Sequence, residues 1–194
     1  ATDNPVPESE WTQSISHPDV ILLEGWCVGI PPQPAQKLGT PVNDLEQHED
    51  VAGHWRNYVH EQLSGPYQAL FTELDYLVFL KVPGFECVYQ WRLEQERKLA
   101  LRTRHRQRSA IMNEAQIKRF IAHYQRLTEH ALQHLPSLAN VVIPLDRNHR
   151  LTGCEVNHKQ DPVAASPHKS GTGWYLLIWM VRYLIIITTR LMPL

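Results

Sequence analysis

The chain has 194 residues, which is enough for one globular domain and too few for two of ordinary size. Its composition, 43% hydrophobic and 20% charged, excludes a disordered acidic tail, a collagen and a low-complexity linker. The formal net charge of −1 argues against a uniformly basic nucleic-acid binder. However, residues 1–90 carry 3 basic and 13 acidic side chains, whereas residues 91–194 carry 16 and 7. This asymmetry favours one site with a cationic wall over a surface that coats nucleic acid.

The three cysteines, Cys27, Cys87 and Cys154, include no C-x-x-C pair. This pattern disfavours a disulfide framework and a cysteine-built zinc site, and it favours a reducing, cytoplasmic location. The first residues, ATDNPVPESEWTQ, lack the basic and then apolar pattern of a signal peptide. They also lack an initiator Met, so we expect the chain to begin inside a longer protein.

Residues 1–16 are a polar, proline-containing lead-in. The apolar run at residues 19–23 then stops abruptly at Glu24 and Gly25, which predicts a strand covered on both faces, as in a parallel sheet. Such a strand places the Glu24 carboxylate at the carboxyl edge of the sheet, where ligands of open α/β folds bind. In phosphoryl-transfer enzymes an acid there orients Mg²⁺ or its waters, but a plain surface acid is an equal alternative.

Hydrophobic spacing predicts further elements along the chain. In chain order they are a helix over residues 46–63, a strand over 74–82, a helix over 88–99, a helix from an Asn113 N-cap to a stop at Pro136, and a strand over 140–145. Gln116, three residues after Asn113, completes a capping-box pattern. The alternation of apolar strands and helices predicts an α/β fold with an open parallel sheet and crossover helices.

The run at residues 92–108 holds seven basic and two acidic side chains. Three interpretations stay open: a lid that closes over nucleotide phosphates, a solvated helical face, and an RNA-binding patch. Few aromatic residues beyond Tyr89 and Trp91 lie close by, which disfavours stacking on single-stranded nucleic acid.

Histidine is abundant, with 11 residues, and His123, His130 and His134 share one face of a predicted helix. His130 and His134 have the spacing of zinc ligands but lack the Glu of an H-E-x-x-H motif, so an exposed helix face is favoured over a metal site. No G-x-S-x-G motif is present, so no serine-based triad is predicted.

The character of the sequence changes after Arg150. Residues 151–173 are polar, and residues 174–189 are almost wholly apolar around Arg182. A membrane span is marginal at this length with a central charge, and a buried hairpin or strand is equally allowed. We favour a third interpretation, an out-of-frame or otherwise non-family tail over residues 151–194, because nothing in it continues the α/β pattern.

Three stretches, taken in order, resemble one known family. They are DVILLEGWCVGIPPQP at residues 19–34, LDYLVFLKVPGFECVYQWRLEQERK at 74–98, and the segment 112–150 with its D-x-N-x strand end. Together they are similar to the later two-thirds of D-glycerate 3-kinase-like P-loop kinases, a group related to phosphoribulokinase, uridine kinase and pantothenate kinase. The resemblance covers about residues 17–150. It implies a three-layer P-loop kinase-type open parallel sheet with a basic lid at about residues 92–112.

The resemblance implies ATP-dependent phosphorylation of a small hydroxylated metabolite, such as a hydroxy acid or a sugar-like compound, with Mg²⁺ and with glycerate as the leading candidate. It assigns a catalytic role to Glu24, which would hold Mg²⁺ through water, and to Arg92. The other implied contacts are Gly25, Trp26, Gln95 and Glu96 for the substrate, and Arg97, Lys98, Arg102, Asp146, Asn148 and His149 for the nucleotide.

One part of the family pattern is missing. No G-x-x-x-x-G-K-[ST] motif occurs in the chain, so the phosphate-cradling loop and the P-loop strand are absent from the sequence. We therefore expect an N-terminally truncated kinase domain that binds ATP poorly and is inactive alone. The alternative is a polyanion- or RNA-binding module that acts through residues 92–108. The kinase interpretation itself predicts no nucleic-acid partner, and no membrane partner unless residues 174–189 insert.

Overall fold

The computed structural model describes residues 7–10, 20–102 and 111–157. The regular elements are α1 (Asp44–Glu49), α2 (His54–Ser64), α3 (Pro66–Phe71), β1 (Val78–Lys81), α4 (Phe85–Arg102), α5 (Glu114–Leu138), β2 (Val141–Pro144) and β3 (Glu155–Val156), with short 3-10 helices at Glu8–Glu10 and Ala35–Gly39. Residues 103–110, which include the end of the basic run, and the apolar segment 174–189 lie outside the described residues. Within the described residues, no helix is both long enough and apolar enough to cross a membrane.

The sheet has three strands in the order β1-β2-β3. Strands β1 and β2 are parallel, with Val78 opposite Val141, and α4 and α5 form the connection between them. The predicted strands at 74–82 and 140–145 and their parallel pairing are therefore confirmed, with shorter bounds. Strand β3 adds an antiparallel pair in which Val156 lies opposite Val141, so the sheet is mixed rather than wholly parallel.

Alternation along β1 supplies side chains to two apolar clusters. Leu80 packs with Val141 and Ile143 in one cluster, which also contacts Trp91 of α4. Phe79 packs in the other cluster with Ile30 and with Ala131 and Leu135 of α5. Because successive strand residues point to opposite faces, one short strand anchors both layers.

Helix α5 begins as the sequence predicts. Asn113 Oδ1 accepts a hydrogen bond of 2.9 Å from the Gln116 N–H, and Gln116 Oε1 accepts one of 2.9 Å from the Asn113 N–H. The predicted stop at Pro136 is wrong, since the helix continues to Leu138 with Pro136 inside it. A proline in the last turn removes one donor only, and the Ala139 N–H still bonds the Leu135 carbonyl to close the helix.

The strand predicted at residues 19–23 is not formed over residues 20–23, the part of it that the structure describes. Residues 20–24 have no regular structure, and Val20 and Ile21 are 79% and 82% exposed. A strand requires a hydrogen-bonded neighbour, and β1 pairs only with β2 among the described residues. Propensity alone therefore does not place these residues in the sheet.

The predicted single helix over residues 46–63 is two helices. Gly53 has a φ of 71°, which interrupts the helix between α1 and α2. The Asp50 carboxylate accepts hydrogen bonds from the N–H groups of Trp55 and Arg56 at 3.0 and 3.1 Å, so it caps the start of α2. An αL glycine and a capping acid together outweigh the helical hydrophobic spacing.

Candidate functional site

A cavity of about 310 Å³ lies between residues 24–26, strand β1 and helices α4 and α5. This volume is at the lower end of the range for sites that bind small molecules. Its apolar lining consists of Trp26, Phe79, Leu80, Val82, Val88, Trp91, Phe120, Tyr124, Ala131 and Leu132. Its polar lining consists of Glu24, Arg92, Gln95 and Thr128. Glu24 and Arg92, which are 68 positions apart in the sequence, therefore face the same hollow.

Trp26 attaches residues 24–26, which form one side of this cavity, to helix α5. Its indole Nε1 donates a hydrogen bond of 3.0 Å to Thr128 Oγ1, and its ring stacks on Tyr124 with centroids 4.8 Å apart and an interplanar angle of 11°. Thr128 Oγ1 in turn donates to the Tyr124 carbonyl at 2.8 Å. These contacts hold the neighbouring Gly25 and Glu24 at the rim without any strand pairing.

Arg92 projects from α4 into the opposite wall. Its Nη1 donates to Gln95 Oε1 at 2.8 Å, its Nη2 donates to Glu96 Oε1 at 2.5 Å, and its guanidinium lies 5.0 Å from the centroid of the Phe120 ring. The side chain is only 14% exposed. The guanidinium is therefore held in one position by charge-assisted hydrogen bonds and by the aromatic face.

Glu96 acts behind the cavity wall. Oε1 accepts from Arg92, Oε2 accepts from the Met112 N–H at 3.1 Å, and the side chain is 4% exposed. Glu96 is absent from the residues that line the cavity, although the sequence assigned it to the substrate. Its carboxylate holds Arg92 and joins α4 to the segment before α5.

The Glu24 carboxylate is the least constrained polar group of the site. It forms no hydrogen bond or ion pair with the other described residues, and partial burial raises the pKa of Glu24 above its ordinary value. No opposing charge among residues 7–10, 20–102 and 111–157 offsets that burial. An uncompensated carboxylate at the rim of a cavity is free to bind a cation, a metal-bound water or a hydroxyl group.

The predicted nucleotide contacts at residues 146–149 lie beside α4 but outside the cavity lining. Asp146 Oδ1 accepts from the N–H groups of Asn148 and Arg150 at 2.7 and 2.8 Å and so forms the turn after β2. Trp91 Nε1 donates to the Arg147 carbonyl at 2.9 Å, and the Trp91 and His149 ring centroids are 4.1 Å apart. Trp91 thus contacts this loop and lines the cavity as well.

Other predicted phosphate contacts are on the exposed part of α4. Lys98 is ion-paired with Glu94, and Arg97 is exposed. Arg102 ends the helix, and its side chain lies outside the described residues. Burial lowers the pKa of His149, and the charge of Lys98 adds to this effect while Glu94 and Asp146 oppose it.

The structure gathers Glu24, Gly25, Trp26, Arg92 and Gln95 in one cavity and leaves Glu96, Arg97, Lys98, Asp146, Asn148 and His149 outside its lining. Sequence reasoning missed the part played by Thr128 and Trp91. The helical spacing of Phe120 and Tyr124 predicts only an apolar face of α5. Thr128, four residues after Tyr124, adds a hydroxyl one helical turn further along, and this was the one available signal.

His123 and His130 of α5 contact different backbone carbonyls. His130 Nε2 lies 3.1 Å from the Pro31 carbonyl, whereas His123 Nδ1 lies 2.8 Å from the Arg119 carbonyl. The His130 and His134 ring centroids are 4.3 Å apart. Among the described residues no group of three or more His, Cys, Asp or Glu side chains could hold a metal ion.

Comparison with known proteins gives two curated relatives, while a scan against family models finds no match. The chain is 29% identical to the "Uncharacterized kinase mug58" of Schizosaccharomyces pombe over 118 residues, which is 60% of this chain and 40% of the relative. It is 25% identical to the "D-glycerate 3-kinase, chloroplastic" of Arabidopsis thaliana over 158 residues, which is 81% of this chain and 30% of the relative.

A search of solved structures gives the structure of the YGR205w protein, with a TM-score of 0.43 and 21% identity over 68% of this chain and 45% of that chain. A TM-score this low does not establish a common fold. The matched segments span less than half the length of either curated relative. The chain is a distant relative of proteins that are named as kinases.

Proposed function

We propose that the 310 Å³ cavity is the acceptor-substrate site of a kinase that phosphorylates a hydroxyl group of a small metabolite with ATP, glycerate being the first candidate. The observation that carries the proposal is that Glu24 and Arg92 line the same cavity. The names of the two distant relatives support the same class of reaction. In this reaction the acceptor oxygen bonds to the γ-phosphorus, the bond from that phosphorus to the bridging oxygen breaks, ADP leaves, and the hydroxyl proton goes to solvent.

The size of the cavity supports its assignment to the acceptor rather than to the nucleotide. A volume of about 310 Å³ suits a small metabolite, and most of its lining is apolar. Polar groups are confined to Glu24, Arg92, Gln95 and Thr128. We place the nucleotide beyond Trp91, toward the loop at residues 146–149, where the sequence resemblance puts the adenine.

Arg92 is suited to neutralise negative charge on the acceptor or on the transferred phosphoryl group. Phosphoryl transfer places charge on the equatorial oxygens, and a preorganised guanidinium stabilises that charge without further rearrangement. The hydrogen bonds to Gln95 and Glu96 supply this preorganisation. The 14% exposure of the Arg92 side chain also removes it from any surface that could bind RNA.

Mg²⁺ would be held at Glu24. The carboxylate has no hydrogen-bond or ion-pair partner among the described residues, and Mg²⁺ typically keeps several waters while taking one or two protein carboxylates and substrate phosphates. When bound with ATP, the ion would neutralise phosphate charge. The chain contains no G-x-x-x-x-G-K-[ST] motif, so we propose that these 194 residues bind the acceptor without measurable turnover by themselves.

Ligand-observed NMR with glycerate tests the proposal on the full chain. We expect saturable binding that Arg92→Gln weakens by about tenfold or more, because a hydrogen bond to a charged group contributes about 1.5–3 kcal/mol. Arg97→Gln is the matched control, since it removes the same charge from an exposed position on the same helix. Failure of glycerate and other small hydroxy acids to bind, or equal binding by Arg92→Gln, would contradict the proposal.

A further inference from the structure

The cavity that we assign to the acceptor has an inner end that lies against the sheet. Trp91 and Leu132 line the cavity and also pack against the apolar cluster formed by β1, β2 and the residues that follow them. Val82 is itself a member of that cluster, and Val88 lies in the first turn of α4, shortly after β1 ends. This inner end of the cavity is therefore walled by hydrocarbon and by the Trp91 ring.

The charged and amide side chains of the cavity lie further from the sheet, at its outer end. Arg92 and Gln95 follow Val88 along α4 and lie about 6 and 10 Å further along the helix axis. The Arg92 guanidinium is 5.0 Å from the centroid of the Phe120 ring, and α5 rises by about 18 Å between Phe120 and Leu132 before it leads into β2. The cavity is therefore amphipathic along its length.

The two polar groups nearest the inner end already have partners. Thr128 Oγ1 accepts a hydrogen bond from Trp26 and donates its only O–H to the Tyr124 carbonyl. The indole N–H of Trp91 donates to the Arg147 carbonyl at 2.9 Å. A ligand hydroxyl enclosed at the inner end would lose its hydrogen bonds to water and find neither of these donors available.

We propose that the acceptor is a hydroxy acid whose remaining substituent is apolar, either an aryl or a branched alkyl group, and that this substituent occupies the inner end of the cavity. The carboxylate then lies near Arg92 and the hydroxyl near Glu24, at the outer end. This inference rests on the proposed acceptor site and narrows its substrate class. Glycerate carries a hydroxymethyl group where the proposed acceptor carries the apolar substituent.

The size of the cavity and the energetics of burial both favour the larger acid. A volume of about 310 Å³ accommodates a compound larger than glycerate. Full burial of an aromatic or branched side chain strengthens binding by about tenfold to a hundredfold. A hydroxymethyl group in the same position gains little apolar contact and loses hydrogen bonds to water.

The probes are phenyllactate and glycerate, which differ only in the second substituent of the hydroxyl-bearing carbon, and they are titrated into the full chain by ligand-observed NMR. We expect phenyllactate to bind more tightly by about tenfold or more. Leu132→Asn places an amide at the inner end, so it should weaken phenyllactate binding about tenfold and change glycerate binding by less than about twofold. Leu138→Asn is the matched control, because Leu138 is an exposed residue of the same helix outside the lining.

Equal affinities of the parent chain for phenyllactate and glycerate would overturn this inference, whether or not Leu132→Asn folds. Equal effects of Leu132→Asn and Leu138→Asn would also contradict it. If phenylethanol, which lacks the carboxylate, binds as tightly as phenyllactate, the ligands only partition onto apolar surface and the inference is wrong. Glycerate binding that Arg92→Gln weakens, without a preference for phenyllactate, would keep the acceptor site and remove only the apolar substrate class. Failure of both acids to bind would remove both proposals.

Discussion

Glu96 accepts a hydrogen bond of 3.1 Å from the backbone N–H of Met112, a residue 16 positions further along the chain. The other carboxylate oxygen accepts from Arg92, so one buried acid fixes the guanidinium and the start of the segment that leads into α5. The residues between them include most of the basic run. The position of Arg92 in the cavity and the position of Met112 before α5 are therefore linked through Glu96.

Replacing Glu96 by Ala should destabilise the protein by about 3–5 kcal/mol, because it breaks a buried ion pair and removes the acceptor of the Met112 N–H. Glu96→Gln should cost less, since the amide oxygen still accepts a hydrogen bond. Urea denaturation measures both changes. Glu94→Gln is the control on the same helix: it breaks an exposed pair with Lys98 and should change stability by less than about 1 kcal/mol. Similar losses of unfolding free energy for Glu94→Gln and Glu96→Ala would contradict the role of Glu96 in holding Arg92 and the Met112 N–H.

The hydrogen bond between Trp26 and Thr128 should be measurable as a coupling energy. Trp26→Phe removes the donor and Thr128→Val removes the acceptor, and the double-mutant cycle should give about 0.5–1.5 kcal/mol of interaction. Tyr124→Leu, which removes the stacked ring, should weaken glycerate binding through displacement of residues 24–26. A coupling energy near zero would mean that residues 24–26 are held only by the stacking of Trp26 on Tyr124.

The buried Glu46 should make stability dependent on acidic pH. Burial raises the pKa of Glu46, but hydrogen bonds from Arg126 and the Val42 N–H, with the charges of Arg126 and Arg56, lower it below its ordinary 4.5. Since the folded-state pKa is the lower one, the stabilisation is complete above about pH 4.5 and is lost as pH falls through the folded-state value. Unfolding free energies from pH 7 to pH 3 should show this slope, and Glu46→Gln should flatten it, whereas the exposed Glu61→Gln should not.

Local sequence signals predicted some of these features and missed others for identifiable reasons. The Asn113–Gln116 capping box was predictable because it involves four consecutive residues. The strand at residues 19–23 was not, because strand formation depends on a neighbour that the sequence pattern does not reveal. The cluster of Arg56 and Arg126 was also missed, since arginine spacing carries no signal of burial before the tertiary contacts are known.

The candidate site was predictable to a similar extent. The resemblance assigned a catalytic role to both Glu24 and Arg92, and the two residues line one cavity although the strand predicted before Glu24 is not formed. Glu96 was assigned to the substrate because it follows Gln95 in the same motif. Adjacent residues point about 100° apart on a helix, so Gln95 lines the cavity whereas Glu96 faces Arg92 and Met112 behind it.

The three thiols should differ in reactivity. Burial raises the pKa of Cys27 to about 11, and it also raises the pKa of Cys87, whereas Cys154 is exposed. The thiolate is the reactive form, so Cys154 should react first with a disulfide reagent at pH 8, and Cys27 should react slowly until the protein unfolds. Mass spectrometry after brief labelling identifies the modified residue. Rapid modification of Cys27 would show that the loop beside the cavity opens readily.

Binding of MgATP tests the nucleotide part of a kinase site separately from the acceptor part. The 194 residues contain no G-x-x-x-x-G-K-[ST] motif, whose backbone N–H groups and lysine cradle nucleotide phosphates. We therefore expect isothermal titration to give a dissociation constant weaker than about 1 mM, while glycerate still binds at the cavity. Micromolar binding of MgATP would mean that exposed cations of α4 such as Arg97 and Lys98 hold the phosphates unaided. In that case Arg97→Gln should weaken nucleotide binding and leave glycerate binding unchanged, because Arg97 lies outside the cavity lining.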